Sequence, residues 1–275
     1  MTSHIVAYQG AAGAYSEEGV LAVFPDSEHL GLQTIRKVFE SVEVGRADYG
    51  LVPMDNSQAG SINETYDLFL KHGLHLVEET VVRVNHCLMA LPGSSLDELV
   101  EVISHPQAIA QSEEFLNSLD VSVRAEYDTA GAAKKIVDDK LEGTGAIASK
   151  RAAEVYGLEV LAERIQTYPD NYTRFGALSR NARSLREPTK SSLVFGVGHV
   201  AGSLYRCIGA FAERHLNLTK LESRPRAGRP WEYVFYVDVE GPAEDPAMVE
   251  ALSEVSEHAT FTRLLGTYAS GFAPR

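Results

Sequence analysis

The sequence predicts an α/β protein built as two lobes and followed by a separate βαββαβ module. Three observations predict it. Apolar, strand-like runs alternate with helical periods from His4 to about Ile165, and each strand ends in a turn of small and polar residues. Two extended stretches, 75–91 and 158–165, have the character of crossings between lobes. The charged, Pro-containing segment 181–190 lacks apolar periodicity and reads as a linker.

Composition narrows the function classes. With 275 residues the chain has room for two or three domains of about 100–150 residues each. Its 44% hydrophobic and 23% charged content is that of a soluble globular protein, and no apolar run nears the roughly 20 residues of a membrane helix. The start, Met1 to His4, leads straight into a strand-like Ile5-Val6-Ala7-Tyr8 without a basic, apolar leader, so a cytoplasmic location is expected. Cys87 and Cys207 have no partner at ligand spacing; no metal site and no disulfide are expected, and both read as small core residues. Against 38 acidic residues stand 25 basic ones, a net charge of −13 that disfavours nucleic acid as a partner. An acidic metabolite would have to be held by local donors.

His4 to Gly10 reads as a buried strand, and Gly10 to Glu18 as a small-residue turn opening a helix with Ser16 as N-cap, where backbone N–H groups can approach an anion. Ile35, Val38, Phe39 and Val42 fall at i, i+3, i+4 and i+7, one helical face. After the strand Tyr49–Pro53 comes a polar turn holding Asn56 and Ser57. The pair either closes an Asx-type turn or joins the Gly10 turn in one site. Ser61 and Glu64 have capping-box spacing for the next helix.

Beyond the first crossing, strand 100–103 runs into Ser104-His105-Pro106-Gln107, where Pro106 suits the first helical turn and His105 reads as a cap. Strand 121–127 leads to Asp128-Thr129-Ala130-Gly131, again a small turn at a helix start, and a later helix stops at Gly157. Strand 158–165 is expected to cross back to the first lobe. In open, mostly parallel sheets ligands collect beyond the carboxyl ends of the strands, so these turns face a cleft. Beside the hinge falls Asn171-Tyr172-Thr173-Arg174-Phe175, which offers an amide, a hydroxyl, a guanidinium and an aromatic face in one short stretch.

After the linker, strand 192–197, a helix from about Gly202, strand 217–222, the Gly228-Arg229-Pro230 turn, strand 232–240, a helix with Met248, Ala251, Leu252 and Val255 inward, and strand 261–268 follow in ferredoxin-like βαββαβ order. A small module behind a linker suggests regulation.

Seven motifs in one order give the chain a resemblance over nearly its whole length. They are Tyr8-Gln9-Gly10 through Tyr15-Ser16-Glu17, Asn56-Ser57 with Gly60-Ser61-Ile62, Ser104 to Ala108, Asp128 to Ala133, Ala146 to Ser149, Thr173-Arg174-Phe175, and Leu218 to Pro225. The sequence resembles the prephenate and arogenate dehydratases with a C-terminal ACT domain. The resemblance implies a periplasmic-binding-protein-like catalytic domain over 1–180, with the second lobe at about 81–164, and an ACT regulatory domain over 191–270. It implies a lyase that removes carbon dioxide and water from prephenate to give phenylpyruvate, or from arogenate to give phenylalanine, without a cofactor.

On that basis Thr173 and Arg174 are the expected catalytic residues, Thr173 through a hydrogen bond to the leaving oxygen. Arg174 either binds a substrate carboxylate or ties the lobes together. Asn56, Ser57, Ser104, Gln107, Thr129, Ala130 and Phe175 are expected around the substrate, with Phe175 leaning toward packing and an added methyl at Ala130 pressing on the substrate side chain. Phenylalanine is the expected effector, held between Gly202-Ser203-Leu204 and Glu222-Ser223-Arg224-Pro225 of subunits paired as a homodimer or homotetramer. Glu222 and Arg224 otherwise form only an inter-strand ion pair, which would leave the enzyme unregulated. Asp55, Ala14 and Gly202-Ser203-Leu204-Tyr205 depart from the commoner family wording. A two-lobed amino-acid sensor without chemistry is the rival of another class; it would not require Thr-Arg-Phe at the hinge.

Overall fold

The computed structural model describes residues 4–226 and 231–271. The expected start at residues 1–3 and the Gly228-Arg229-Pro230 turn lie outside the described residues. The chain opens with β1 (Ile5–Gln9), α1 (Tyr15–Val23), β2 (Glu28–Leu32), α2 (Ile35–Glu43), β3 (Tyr49–Asn56), β4 (Gly60–Ser61), α3 (Asn63–Phe69) and β5 (His75–Arg83). It continues with β6 (Cys87–Ala90), β7 (Glu101–Ser104), α4 (Pro106–Gln111), α5 (Glu113–Leu116), β8 (Ser122–Ala125), α6 (Thr129–Asp138), β9 (Thr144–Ala148), α7 (Lys150–Tyr156), β10 (Glu159–Glu163) and β11 (Tyr172–Ser179). Then come β12 (Lys190–Val197), α8 (Ser203–Ala212), β13 (Leu218–Pro225), β14 (Tyr233–Glu240), α9 (Pro246–His258) and β15 (Ala259–Tyr268).

The described strands form three sheets. The first has the order β2-β1-β3-β11-β5, with the short β4 folded back on β3, and the second runs β10-β6-β9-β7-β8. β1 lies parallel to both β2 and β3, which is why Val6, Ala7 and Tyr8 form a continuous apolar run rather than an alternating one. The four periodic residues of α2 are all buried, and Thr34 caps that helix by accepting from the Lys37 N–H. α6 starts under an Asp128 cap, and α7 ends at Gly157 with φ +66°, a left-handed position that favours glycine. The third sheet, β13-β14-β12-β15, has the strand order of the ferredoxin-like arrangement, as expected.

Local expectations need correction where neighbours decide. β10 does not cross back to the first sheet; it pairs antiparallel with β6, and the return crossing is 164–171. Ser16 is not the cap of α1. Ala14 holds that position, and the Ser16 hydroxyl donates to the Gln9 carbonyl at 2.6 Å. Ser61 pairs with Asp55 in β4 and so lies two residues ahead of the helix that it was expected to cap.

Two compact units result: residues 1–65 with 80–175, and residues 66–79 with 176–275. In the second, Arg263 donates to the carbonyls of Phe69 (2.5 Å), His72 (2.9 Å) and Leu74 (2.9 Å), satisfying acceptors that the end of α3 leaves open. Buried Lys190 belongs to β12 rather than to a linker, and its ammonium meets the buried Glu79 carboxylate at 2.9 Å. At Gly266 a Cβ would stand 1.9 Å from the Leu76 carbonyl oxygen, closer than any rotamer can relieve. Gly266→Ala should therefore lower the unfolding free energy by about 2 kcal/mol or more, read from urea unfolding midpoints; an unchanged midpoint would mean that the backbone yields there at no cost.

Candidate functional site

Asn56 ends β3 and turns the chain. Its Oδ1 accepts from the backbone N–H groups of Gln58 at 3.1 Å and Ala59 at 2.9 Å, the Asx-type closure anticipated for this position. With the oxygen held there, Nδ2 points the other way. It donates to Asn171 Oδ1 at 2.7 Å, to Thr173 Oγ1 at 3.1 Å and to the Tyr172 carbonyl at 3.1 Å. β3 and β11 are neighbours in the first sheet, which brings a residue near 56 beside one near 173. Thr173 is 9% exposed, and because its oxygen accepts from Asn56, its hydroxyl proton remains for another acceptor.

Ser57 fastens the same pair of strands. Its N–H donates to the Tyr172 carbonyl at 2.8 Å, its hydroxyl donates to the Asp170 carbonyl at 3.1 Å, and the Tyr172 N–H donates back to that hydroxyl at 2.9 Å. Arg174 is buried and pairs with Asp55. Its Nε donates to Asp55 Oδ2 at 2.7 Å, so the guanidinium joins β11 to β3 within one sheet. Phe175 packs inward: a Cβ at Gly19 would stand 3.6 Å from its ring.

In the turn after β1, expected to offer N–H groups to an anion, three N–H groups meet acceptors of the protein itself. Gly10 donates to Leu32 O, Ala14 to Ala11 O, and Gly13 to Glu17 Oε2 at 2.8 Å. Glu17 also takes Arg151 Nε at 2.9 Å and lies 3.2 Å from His29 Nδ1. Burial pushes the Glu17 carboxyl up, and the bonds from Gly13, Arg151 and His29 outweigh it, holding the group below its ordinary value. The Ser149 hydroxyl donates to Gly13 O at 2.6 Å, and a Cβ at Gly13 would stand 2.6 Å from the Ala152 Cα, so this turn docks tightly on the start of α7.

In the second lobe the expected residues separate. The Ser104 hydroxyl is fully buried and donates to Ile147 O at 2.6 Å, tying β7 to β9 rather than facing a ligand. Ala130 is also fully buried, in a core cluster that includes Ala14, Ala133 and Ala152, so a larger residue there would press on that core. Thr129 stands at the first position of α6. His105 caps α4, its ring nitrogen accepting from the Gln107 N–H at 3.2 Å. Gln107 and Gln111 wall a cleft of about 570 Å³ shared with Gln58, Ala59 and Tyr168, a volume suited to a small metabolite.

Gln111, His86 and Tyr15, for which no role in the site was read from the sequence, complete the arrangement. Gln111 Oε1 accepts from Asn171 Nδ2 at 2.9 Å and lies 2.9 Å from His86 Nε2. His86 Nδ1 stands 3.2 Å from the Tyr15 hydroxyl, which donates to the Asn85 carbonyl at 2.7 Å. Burial lowers the His86 pKa against the pull of the Gln111 bond, so the ring is neutral near pH 7. The available signal was Asn85-His86, two polar residues interrupting an apolar extended run. Among the described residues no three His, Cys, Asp or Glu side chains gather as metal ligands.

The motif Gly202-Ser203-Leu204 opens α8, with Gly202 at φ +81° as N-cap and the Ser203 hydroxyl donating to Val200 O at 2.8 Å. Glu222, Ser223, Arg224 and Pro225 end β13. Arg224 pairs with Asp67 at 3.0 Å, and Glu222 lies 4.0 Å from Lys220.

Residues 6–183 match the family described as prephenate dehydratase. The chain belongs to that family. It is 42% identical over 289 residues to arogenate dehydratase 5 of Arabidopsis thaliana, covering 98% of this chain and 68% of that protein. A solved prephenate dehydratase from Arthrobacter aurescens in complex with L-Phe superposes with a TM-score of 0.89 at 29% identity, covering 97% of this chain and 90% of that one. A protein described as GqqA, a novel type of quorum quenching acylase, gives a TM-score of 0.88 at 34% identity over 97% and 98% of the two chains.

In this prephenate dehydratase relative two substitutions test the site. Thr173→Ala should lower kcat by about two orders of magnitude while Thr173→Ser keeps part of the rate, as steady-state kinetics on folded variants would read. Glu17, with its pKa depressed by folding, stabilises the protein above its ordinary value of 4.5, and that contribution is lost as pH falls through the depressed value. Glu17→Gln should accordingly flatten the acid limb of stability against pH and remove about 1–3 kcal/mol near neutrality, measured by denaturant titration across pH.

Proposed function

We infer that this chain is a carbon-oxygen lyase of phenylalanine biosynthesis that acts on prephenate, with arogenate as the alternative substrate. The observation that carries the reading is the Thr173 hydroxyl, whose oxygen is engaged by Asn56 and whose proton is left over, set in the Thr-Arg-Phe motif of a family member. In the reaction the bond from the ring to its carboxylate breaks and carbon dioxide leaves. The electron pair of that bond moves into the ring, the hydroxyl on the opposite ring carbon departs and takes up one proton to become water, and the ring becomes aromatic. A hydrogen bond from Thr173 to the departing oxygen stabilises charge where it develops. A threonine hydroxyl is too weak an acid to supply the proton outright near neutral pH, so it orients or relays a proton that comes from elsewhere.

Neutral donors suit this substrate. Gln58, Gln107 and Gln111 bring side-chain amides to the cleft, and these can bind carboxylates without a charge of their own.

The C-terminal βαββαβ unit is proposed as an ACT domain that binds phenylalanine and lowers activity, in subunits associated as a homodimer or homotetramer. The L-Phe in the Arthrobacter aurescens structure supports this reading, as do the Gly202 turn and the β13 end in one unit. If phenylalanine binds the less active state more tightly, linkage requires substrate to weaken its binding by the same factor.

Purified protein incubated with prephenate should form phenylpyruvate, and with arogenate phenylalanine; the ratio of kcat/KM values assigns the substrate. Turnover of neither, with hydrolysis of an N-acyl amide instead, would move the assignment to acyl hydrolysis. Calorimetry on the whole protein should show heat on phenylalanine addition together with a slower rate. No binding, and unaltered rates at millimolar phenylalanine, would remove the regulatory reading and leave the lyase standing.

A further inference from the structure

Hydrogen-bond polarity can be followed residue by residue from the backbone to His86. The N–H groups of Gln58 and Ala59 can only donate, so the Asn56 atom facing them is oxygen and the atom facing Asn171 is the Nδ2 donor. The Asn171 atom at 2.7 Å must therefore be oxygen, and its other end, Nδ2, donates across 2.9 Å to Gln111. That makes the Gln111 atom Oε1. The same oxygen lies 2.9 Å from His86 Nε2, so Nε2 must carry the ring proton. Nδ1 is then the lone-pair nitrogen, 3.2 Å from a Tyr15 hydroxyl that shares its proton between Nδ1 and the Asn85 carbonyl.

We propose that His86, as its neutral Nε2–H tautomer, is a positioning residue that sets the orientation of Gln111, Asn171 and Asn56 and so keeps the Thr173 hydroxyl proton directed at the substrate. The inference rests on the role assigned to Thr173. His86 lies in the outgoing crossing and Asn171 in the returning one, where Val84 N–H donates to Asn171 O at 2.8 Å and Ile165 N–H to His86 O at 3.0 Å. His86 is 2% exposed and Asn171 is fully buried, so solvent cannot substitute for a missing partner. If the ring carried its proton on Nδ1, Nε2 would require a donor from Gln111. The Gln111 amide would have to turn over, and its NH₂ would meet that of Asn171. Asn171 would turn in its place and set its own NH₂ against Asn56 Nδ2. Asn56 cannot follow, because the two backbone N–H groups hold its oxygen.

The test combines a spectrum with kinetics on the whole protein. With ¹⁵N-labelled histidine, the long-range ¹H–¹⁵N correlation of His86, assigned by its loss in His86→Gln, should show the Nε2–H pattern in the absence of substrate. His86→Leu, which keeps bulk and removes the donor, should lower kcat roughly ten- to hundredfold with KM little changed. His86→Gln places an N–H donor near the former Nε2 and should recover a good part of kcat. An Nδ1–H pattern overturns the proposal. So does a folded His86→Leu variant with wild-type kcat, or a loss that His86→Gln does not relieve, since that would mark a packing role. The tautomer is read without turnover, so a chain inert toward both prephenate and arogenate would sink the assigned reaction while the spectrum still decides the bond sequence.

Discussion

A carboxamide has one accepting end and one donating end, and the arrangement around Thr173 depends on that asymmetry being fixed once. Asn56 is where it is fixed, by two backbone N–H groups that can only donate. From there each partner has a single orientation that avoids placing two donors or two acceptors face to face. A misplaced end would leave buried polar atoms unpaired, at about 1–3 kcal/mol apiece, so the alternatives are suppressed cooperatively rather than one at a time. The fold supplies the geometry for this: β3 beside β11 brings Asn56 to Thr173, and the two crossings bring His86 and Asn171 within reach of α4.

What sequence reading reached, and what it did not, divides along a physical line. The Thr173 motif and the Asn56-Ser57 turn were legible because a polar cluster just after a strand in an α/β chain has few places to go. The α/β alternation and the βαββαβ order followed from periodicity and punctuation. Which partner consumes a given donor could not be read, because it depends on residues distant in the chain. The turn after β1 has the composition of an anion site, yet its Gly13 N–H meets the protein's own Glu17, brought into position by Arg151 and His29. Ser104 has a hydroxyl in a family motif, but the neighbouring strand takes its proton. β2 escaped altogether, since its residues Glu28 to Leu32 lie at an edge without a buried alternation to mark them.

Residues 66–79 illustrate the same limit at the scale of domains. Their apolar pattern, with Tyr66, Phe69, Leu74 and Leu76 buried, says only that something covers them. It does not say that Arg263, nearly 200 residues later, supplies three donors to the carbonyls at 69, 72 and 74. Nor does a lysine at the end of a charged stretch announce a buried pairing with Glu79. Two ions taken from water are tolerated when each finds the other at bonding distance, and losing either one would leave a buried charge uncompensated.

The charge arrangement also bears on how an acidic protein can serve a substrate with carboxylates. A net charge of −13 gives no long-range attraction for an anion, so recognition has to be local. Arg174 pairs with Asp55 and Arg151 with Glu17. In the proposed reading the glutamine amides at the cleft do the discriminating, by direction rather than by charge. Directional donors are useful only if they cannot rotate. This is why the fixed polarity that begins at Asn56 matters more to this site than the count of its cations.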